Sequence, residues 1–259
     1  MRWDPRQYSQ YADERGRPFV ELLARVNVAD PKHVVDLGCG PGYLTAMLLD
    51  RWPDATVVGV DSSPEMVAAA NEYAVSGRLS FVEGDVHTWG PEGPVDVVVA
   101  NAVFHWVPNH VDLLATIAQW LAPGGAFAFQ VPDNFGEPSH ALLHDIRHSP
   151  RWKTILGDAA DREASAERPA RYFEALTAAG LDADVWQTSY LHVLHGDDPV
   201  LDWVRGTALR PVVTALTEDA QRDAFVDEYA TALRAAYPRQ EFGTLFPFRR
   251  TFAVGHLGR

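Results

Sequence analysis

The sequence predicts an α/β protein with a mostly parallel seven-stranded sheet, helices on both faces and a helical lid inserted before the last strand. Three observations carry this. Apolar, β-branched runs alternate with amphipathic segments through the first half, the pattern of parallel strands joined by helical crossovers. The run at Val34 enters a loop with glycine at 38, 40 and 42 and leaves it as a helix. Polar residues then stand at the carboxyl ends of successive runs, where open α/β sheets hold their ligands.

In order, His33–Leu37 reads as a buried strand and Tyr43–Arg51 as the helix after its loop. Thr56–Val60 is a second strand ending at Asp61, and Ser62-Ser63-Pro64-Glu65 supplies a cap with proline in the first turn of a helix running to Val75. Leu79–Val82 and Val95–Ala100 are the third and fourth strands. Val111–Leu121 is a helix closed by Pro123-Gly124-Gly125, and Ala126–Val131 is the fifth strand. Arg168–Ala179 is a helix stopped by Gly180. Asp184–Val193 and Arg249–His256 read as an antiparallel final pair, interrupted by helical sequence from Asp197 to Tyr237. An insertion of this length exceeds ordinary loops and is expected to act as a lid. Residues 1–259 are expected to form a single domain, with the lid over 197–248 inside it.

Composition narrows the partners. The chain of 259 residues is 47% hydrophobic and 22% charged, in the range of ordinary globular proteins. No apolar run nears the roughly 20 residues that span a bilayer, and no leader-type apolar segment follows Met1. A single cysteine, Cys39, leaves no internal disulfide, so a cytoplasmic location is expected. The formal net charge of −13 disfavours nucleic acid and anionic membrane as partners while leaving room for a small anion in an arginine pocket.

Several ligands compete for the glycine loop. A dinucleotide loop spaces its glycines Gly-x-Gly-x-x-Gly; here the spacing is Gly-x-Gly-x-Gly, directly after Asp36. A carboxylate there sits badly beside pyrophosphate and suits the ammonium of an amino-acid ligand. A phosphate-binding Gly-Lys-Ser/Thr is missing. Asp61 can accept both hydroxyls of a ribose, which by itself also fits NAD. Asp85 with the Val86 backbone can read an adenine edge, and Asn101 reaches the same cleft. Each residue alone is a common cap or turn former; their recurrence at successive strand ends is what points to a site.

This set, Asp36-Leu-Gly-Cys-Gly-Pro-Gly42 with Asp61, Gly84-Asp85 and Leu121-Ala-Pro-Gly-Gly125, resembles the class I S-adenosylmethionine-dependent methyltransferases, which are Rossmann-like. The resemblance implies that Gly38, Gly40 and Gly42 lie under the methionine part of the cofactor. It puts Asp61 at the ribose, Asp85 and Val86 at adenine, and Asp36, Ser62, Met66 and Asn101 among the cofactor contacts. A narrower likeness runs from end to end. Trp3-Asp-Pro-Arg-Gln-Tyr8 with Tyr11, Glu14-Arg-Gly-Arg-Pro18, Trp106-Val-Pro108, Pro132-Asp-Asn134 and Trp203-Val-Arg-Gly-Thr207 with Leu209-Arg-Pro211 resemble the trans-aconitate 2-methyltransferases. His105 departs from that pattern, which has glutamine there.

What the likeness implies is methyl transfer to a carboxylate of trans-aconitate or a related small polyacid, giving a monomethyl ester. A carboxylate of pKa about 4 is already ionised at neutral pH, so no general base is required; no metal is expected. Tyr8, Tyr11, His105 and Trp106 are expected to position the reacting groups. Arginine suits bidentate carboxylate binding, which nominates Arg17, Arg205, Arg210 and Arg249 for the acceptor, with Tyr229 beside them. Two other outcomes stay open: an O-methyltransferase of a different small molecule, in which His105 takes a proton, and a non-catalytic protein that only binds S-adenosylmethionine. A DNA adenine methyltransferase fits poorly, because Asn101-Ala-Val-Phe104 replaces Asn-Pro-Pro-Tyr.

Overall fold

A computed structural model describes residues 12–157 and 165–258. Its first strand, β1 (His33–Leu37), is buried from Val34 onward and pairs in parallel with β2 (Thr56–Asp61) on one side and β4 (Val95–Asn101) on the other. β3 (Leu79–Glu83) pairs in parallel with β2, and β5 (Leu121–Pro132) with β4. With β6 (Leu181–Leu194) and β8 (Gly243–Leu257), the order is β3-β2-β1-β4-β5-β8-β6, and a two-residue β7 (Arg239–Gln240) lies off this path against β8. The expected α/β architecture and its seven principal strands are present; β7 is the addition.

The helices are α1 (Ala12–Leu23), α2 (Tyr43–Arg51), α3 (Pro64–Ala70), α4 (His110–Ala118), α5 (Pro138–His148), α6 (Pro150–Leu156), α7 (Pro169–Ala178), α8 (Pro199–Arg205), α9 (Arg210–Ala215) and α10 (Asp219–Ala236). Ser63 caps α3 by accepting from the Met66 N–H at 3.3 Å, and Pro64 takes the first turn, where a missing N–H costs nothing. α3 ends at Ala70 in a short 3-10 turn rather than at Val75.

Pro123-Gly124-Gly125 does not close α4, which stops at Ala118. It lies inside β5: Leu121 already pairs with Val95, the register slips between Val95 and Val97, and Gly124 has φ 81°. The glycines absorb a bulge in the ladder, which propensity alone reads as a helix stop.

The chain divides into two compact units. The first comprises the described residues up to Pro132, with Glu167–Thr188 and the segment from Thr251 on. Its core is the doubly covered sheet, with Val97–Ala100 and Ala126–Phe129 fully buried, as parallel strands require. The second comprises the described part of Asp133–Ala166 with Ser189–Arg250. Here α10 buries Phe225, Tyr229, Ala230 and Leu233 as one stripe, and Trp152 meets Phe225 edge-on at 5.0 Å. Among the described residues, no helix is long and apolar enough to cross a membrane.

Candidate active site

The carboxyl ends of β1, β2, β3 and β4 enclose a cavity of about 320 Å³ within the first unit, a volume that suits a small-molecule ligand. The loop after β1 forms its floor. Gly38 and Cys39 donate backbone N–H groups to the Val60 carbonyl at 2.7 and 3.0 Å, tying the loop to β2. Two glycines are required for different reasons. Gly40 has φ 56° and nothing within 4 Å of where a Cβ would stand, so the backbone itself faces open space. Gly42 has φ 84°, and a Cβ there would lie 2.8 Å from Ala70 and 2.9 Å from Phe81, so only glycine lets α2 start so close to α3.

Asp61 organises the rim. Its Oδ2 accepts from the Gly40 N–H and its Oδ1 from the Ser63 N–H, both at 2.9 Å. A carboxylate has about four acceptor positions, so each oxygen keeps one for a ligand hydroxyl. Burial raises its pKa, against the opposing pull of the two N–H groups. Ser62 and Met66 line the cavity beside it. At the end of β3, Asp85 Oδ1 accepts from the His87 N–H at 2.8 Å and meets His87 Nδ1 at 2.9 Å. The backbone N–H, then the ring, hold this carboxyl below its usual range. Asp85, Val86 and His87 all border the cavity.

β4 closes the far side. Asn101 Oδ1 accepts from Gln130 Nε2 at 2.7 Å, which fixes the amide so that its NH₂ is the donor end. Ala102 has φ 58°, a left-handed conformation unusual for alanine and concentrated at functional sites. Trp106, Val107 and Pro108 complete the wall.

Asp36 and Gly42 lie behind the floor and do not line the cavity. Asp36 is 3% exposed; Thr45 donates to its Oδ2 at 2.6 Å, and its buried Oδ1 has no hydrogen-bond partner among the described residues. Burial pushes its pKa up to about 7, Thr45 opposes this, and the charge on Asp61 adds to the rise. A buried carboxylate with one oxygen unmatched is a receptor for positive charge.

Of the remaining expected site residues among those described, only Trp106 lines this cavity. His105 is buried at 8% exposure, its ring 4.7 Å from that of Trp106. Arg17 lies on the exposed face of α1, paired with Glu21 at 2.9 Å. In the second unit, Arg205 lies 3.9 Å from Asp202, and Arg210 opens α9, half-buried. Tyr229 is fully buried, its hydroxyl donating to the Ser139 carbonyl. Arg249 Nε donates to the Asp133 carbonyl at 3.2 Å and to its carboxylate at 3.3 Å, with Glu137 at 3.9 Å. Tyr8 and Tyr11 lie outside the described residues.

As site residues, sequence reasoning missed His87, the strained Ala102 and the apolar wall of Val103 and Val107. Their residue types carry no signal; their place just past a strand end does.

Residues 34–125 match the model of a methyltransferase domain, the span that builds the cavity floor and walls. In overall fold, the chain is similar to the YcgJ protein of Bacillus subtilis (15% identity, TM-score 0.60, 94% of this chain and 99% of that one). It is also similar to phosphoethanolamine N-methyltransferase 2 of Haemonchus contortus, solved with S-adenosylhomocysteine (15% identity, TM-score 0.57, 94% of this chain and 53% of that one). Much nearer in sequence are the trans-aconitate 2-methyltransferases of Streptomyces avermitilis, 54% identical over 98% of this chain and 96% of the relative, and Mycolicibacterium gilvum, 49% identical over 98% and 99%. At that identity over nearly the whole length, helical insertion included, the chain belongs to the trans-aconitate 2-methyltransferase family.

Proposed function

We propose that the protein transfers the methyl group of S-adenosylmethionine to a carboxylate of trans-aconitate, giving a monomethyl ester. The observation that carries the cofactor assignment is Asp36, a buried carboxylate with an unmatched oxygen behind an open glycine floor. S-adenosylmethionine brings an ammonium and a sulfonium for that negative charge and a ribose diol for the two acceptor positions left on Asp61. Asp85 and Val86 would hold adenine, with Met66 packing beside it and the Asn101 amide donating to the amino-acid part. The acceptor assignment is supported by the names of the full-length relatives.

When bound, the cofactor supplies an electrophilic methyl carbon on a positively charged sulfur. The acceptor oxygen forms the new O–C bond as the C–S bond breaks, the electron pair stays on sulfur, and no proton moves. The protein's task is alignment and exclusion of water, which contribute roughly 7–11 kcal/mol in well-oriented reactions. Trp106 presents an apolar ring from the cavity wall for that purpose. In this reading the acceptor's carboxylates are held by Arg249, whose guanidinium pairs with Asp133, together with Arg17, Arg205 and Arg210, with Tyr229 holding the Ser139 carbonyl at the start of α5. Tyr8, Tyr11 and His105 are positioning residues, and His105 takes no proton. A charge of −13 and a single cysteine support a cytoplasmic enzyme without nucleic-acid or membrane partners. Mass spectrometry of purified protein with S-adenosylmethionine and a panel of small acids tests the proposal: the ester of trans-aconitate is expected. Turnover of other acids without trans-aconitate removes the substrate assignment.

A further inference from the structure

We propose that His110 is a positioning residue for the methyl-transfer reaction: from outside the cavity it fixes the Trp106–Pro108 wall by holding the Val107 carbonyl. The inference rests on the reading of this cavity as the cofactor site. His110 opens α4 at 4% exposure and is not among the residues that border the cavity. Its Nδ1 lies 3.1 Å from the Val107 carbonyl oxygen, and its Nε2 lies 2.8 Å from the Tyr172 hydroxyl. A carbonyl only accepts, so Nδ1 carries the proton and the neutral ring takes the Tyr172 hydrogen at Nε2. The Tyr172 oxygen in turn accepts the Glu167 N–H at 3.0 Å. Burial lowers the His110 pKa, which keeps this tautomer neutral.

The ring cannot swing away. It stacks on Phe104 at 6.0 Å and 21° and meets Tyr172 at 5.7 Å, and Tyr172 packs edge-on against Phe129 at 5.1 Å. The hydrogen bond at Nδ1 is therefore aimed from a fixed point in the core at the Val107 carbonyl, between Trp106 and Pro108. Losing it leaves a carbonyl to reorient in a wall that shapes the ligand space. The 3-10 turn Phe104–Trp106 and the left-handed Asn109 on either side make this segment sensitive to such a change.

Calorimetric affinity for S-adenosylhomocysteine, paired with thermal melting, separates positioning from packing. His110→Leu fills the site with an apolar side chain and removes the donor. It is expected to melt within a few degrees of wild type while binding about tenfold more weakly, the effect of roughly one hydrogen bond. His110→Asn places an amide N–H where Nδ1 stood and is expected to recover affinity to within about threefold. Tyr172→Phe, which removes only a hydroxyl, is expected to weaken binding about threefold. A role in core packing alone predicts the reverse order, asparagine worse than leucine. That order, or unchanged affinity in both His110→Leu and Tyr172→Phe, overturns the proposal. Failure of the wild-type protein to bind overturns the cofactor reading beneath it.

Discussion

Asp36→Asn exchanges a titrating carboxyl for a neutral amide of the same shape, and the structure gives the size of the consequence. The folded state raises the Asp36 pKa from 3.8 to about 7 through burial. At about 1.36 kcal/mol per unit, a shift of roughly 3 units corresponds to about 4 kcal/mol. The folded protein holds this proton more tightly than the unfolded chain does. The destabilisation is thus absent below pH 4, grows as pH rises toward 7, and is fully present above it. Between pH 5.5 and 8 about 2 kcal/mol of it develops, or roughly 4–8 °C in melting temperature. The asparagine keeps an acceptor for Thr45 and has no such dependence. Thermal melting of the cofactor-free proteins should therefore show the variant gaining on wild type by that amount between the two pH values. Affinity for S-adenosylhomocysteine should fall in the variant, because the charge that destabilises the empty protein is the one the ligand's ammonium satisfies. Wild type and variant shifting in parallel with pH would refute the reasoning, and so would undiminished affinity.

Other perturbations test separate parts of the account. Gly42→Ala sets a Cβ 2.8 Å from the Ala70 backbone at φ 84° and should destabilise by about 3 kcal/mol, read as a drop in melting temperature. Arg249→Ala should raise KM for trans-aconitate at least about tenfold and leave S-adenosylhomocysteine affinity unchanged in calorimetry, as expected for a lost charge-assisted pair. His105→Gln should retain kcat within about threefold, and kcat should stay flat from pH 6 to 9, because the acceptor is already ionised; a base-dependent rise with pH would contradict direct attack by a carboxylate.

The parts of the fold legible in the sequence are those whose signals are local. β1 and α2 begin and end where the apolar run, the glycine loop and the periodicity place them. Pro123-Gly124-Gly125 misled because a bulge inside β5 depends on pairing with β4, a long-range fact that residue type does not report. Helices α5 and α6 went unassigned, although Pro138 and Pro150 stand in their first turns and are a usable signal. Asp61, Asp85 and Asn101 were legible because each stands at or just past a strand end, whereas His87, which also borders the cavity, carries no such signal. Asp36 also ends its strand region, yet it stands behind the floor rather than on the cavity surface, and in the proposed reading its charge acts on the ligand from there. His110, a core histidine by position, gains its proposed role only through Tyr172, 62 residues away.

The most direct test is a single incubation of the purified protein with S-adenosylmethionine carrying a labelled methyl group and trans-aconitate, followed by mass spectrometry of the acid. One labelled methyl ester per acid molecule is expected, formed together with an equal amount of S-adenosylhomocysteine. Tight binding of the donor with unmodified trans-aconitate, at concentrations that saturate both, would contradict it.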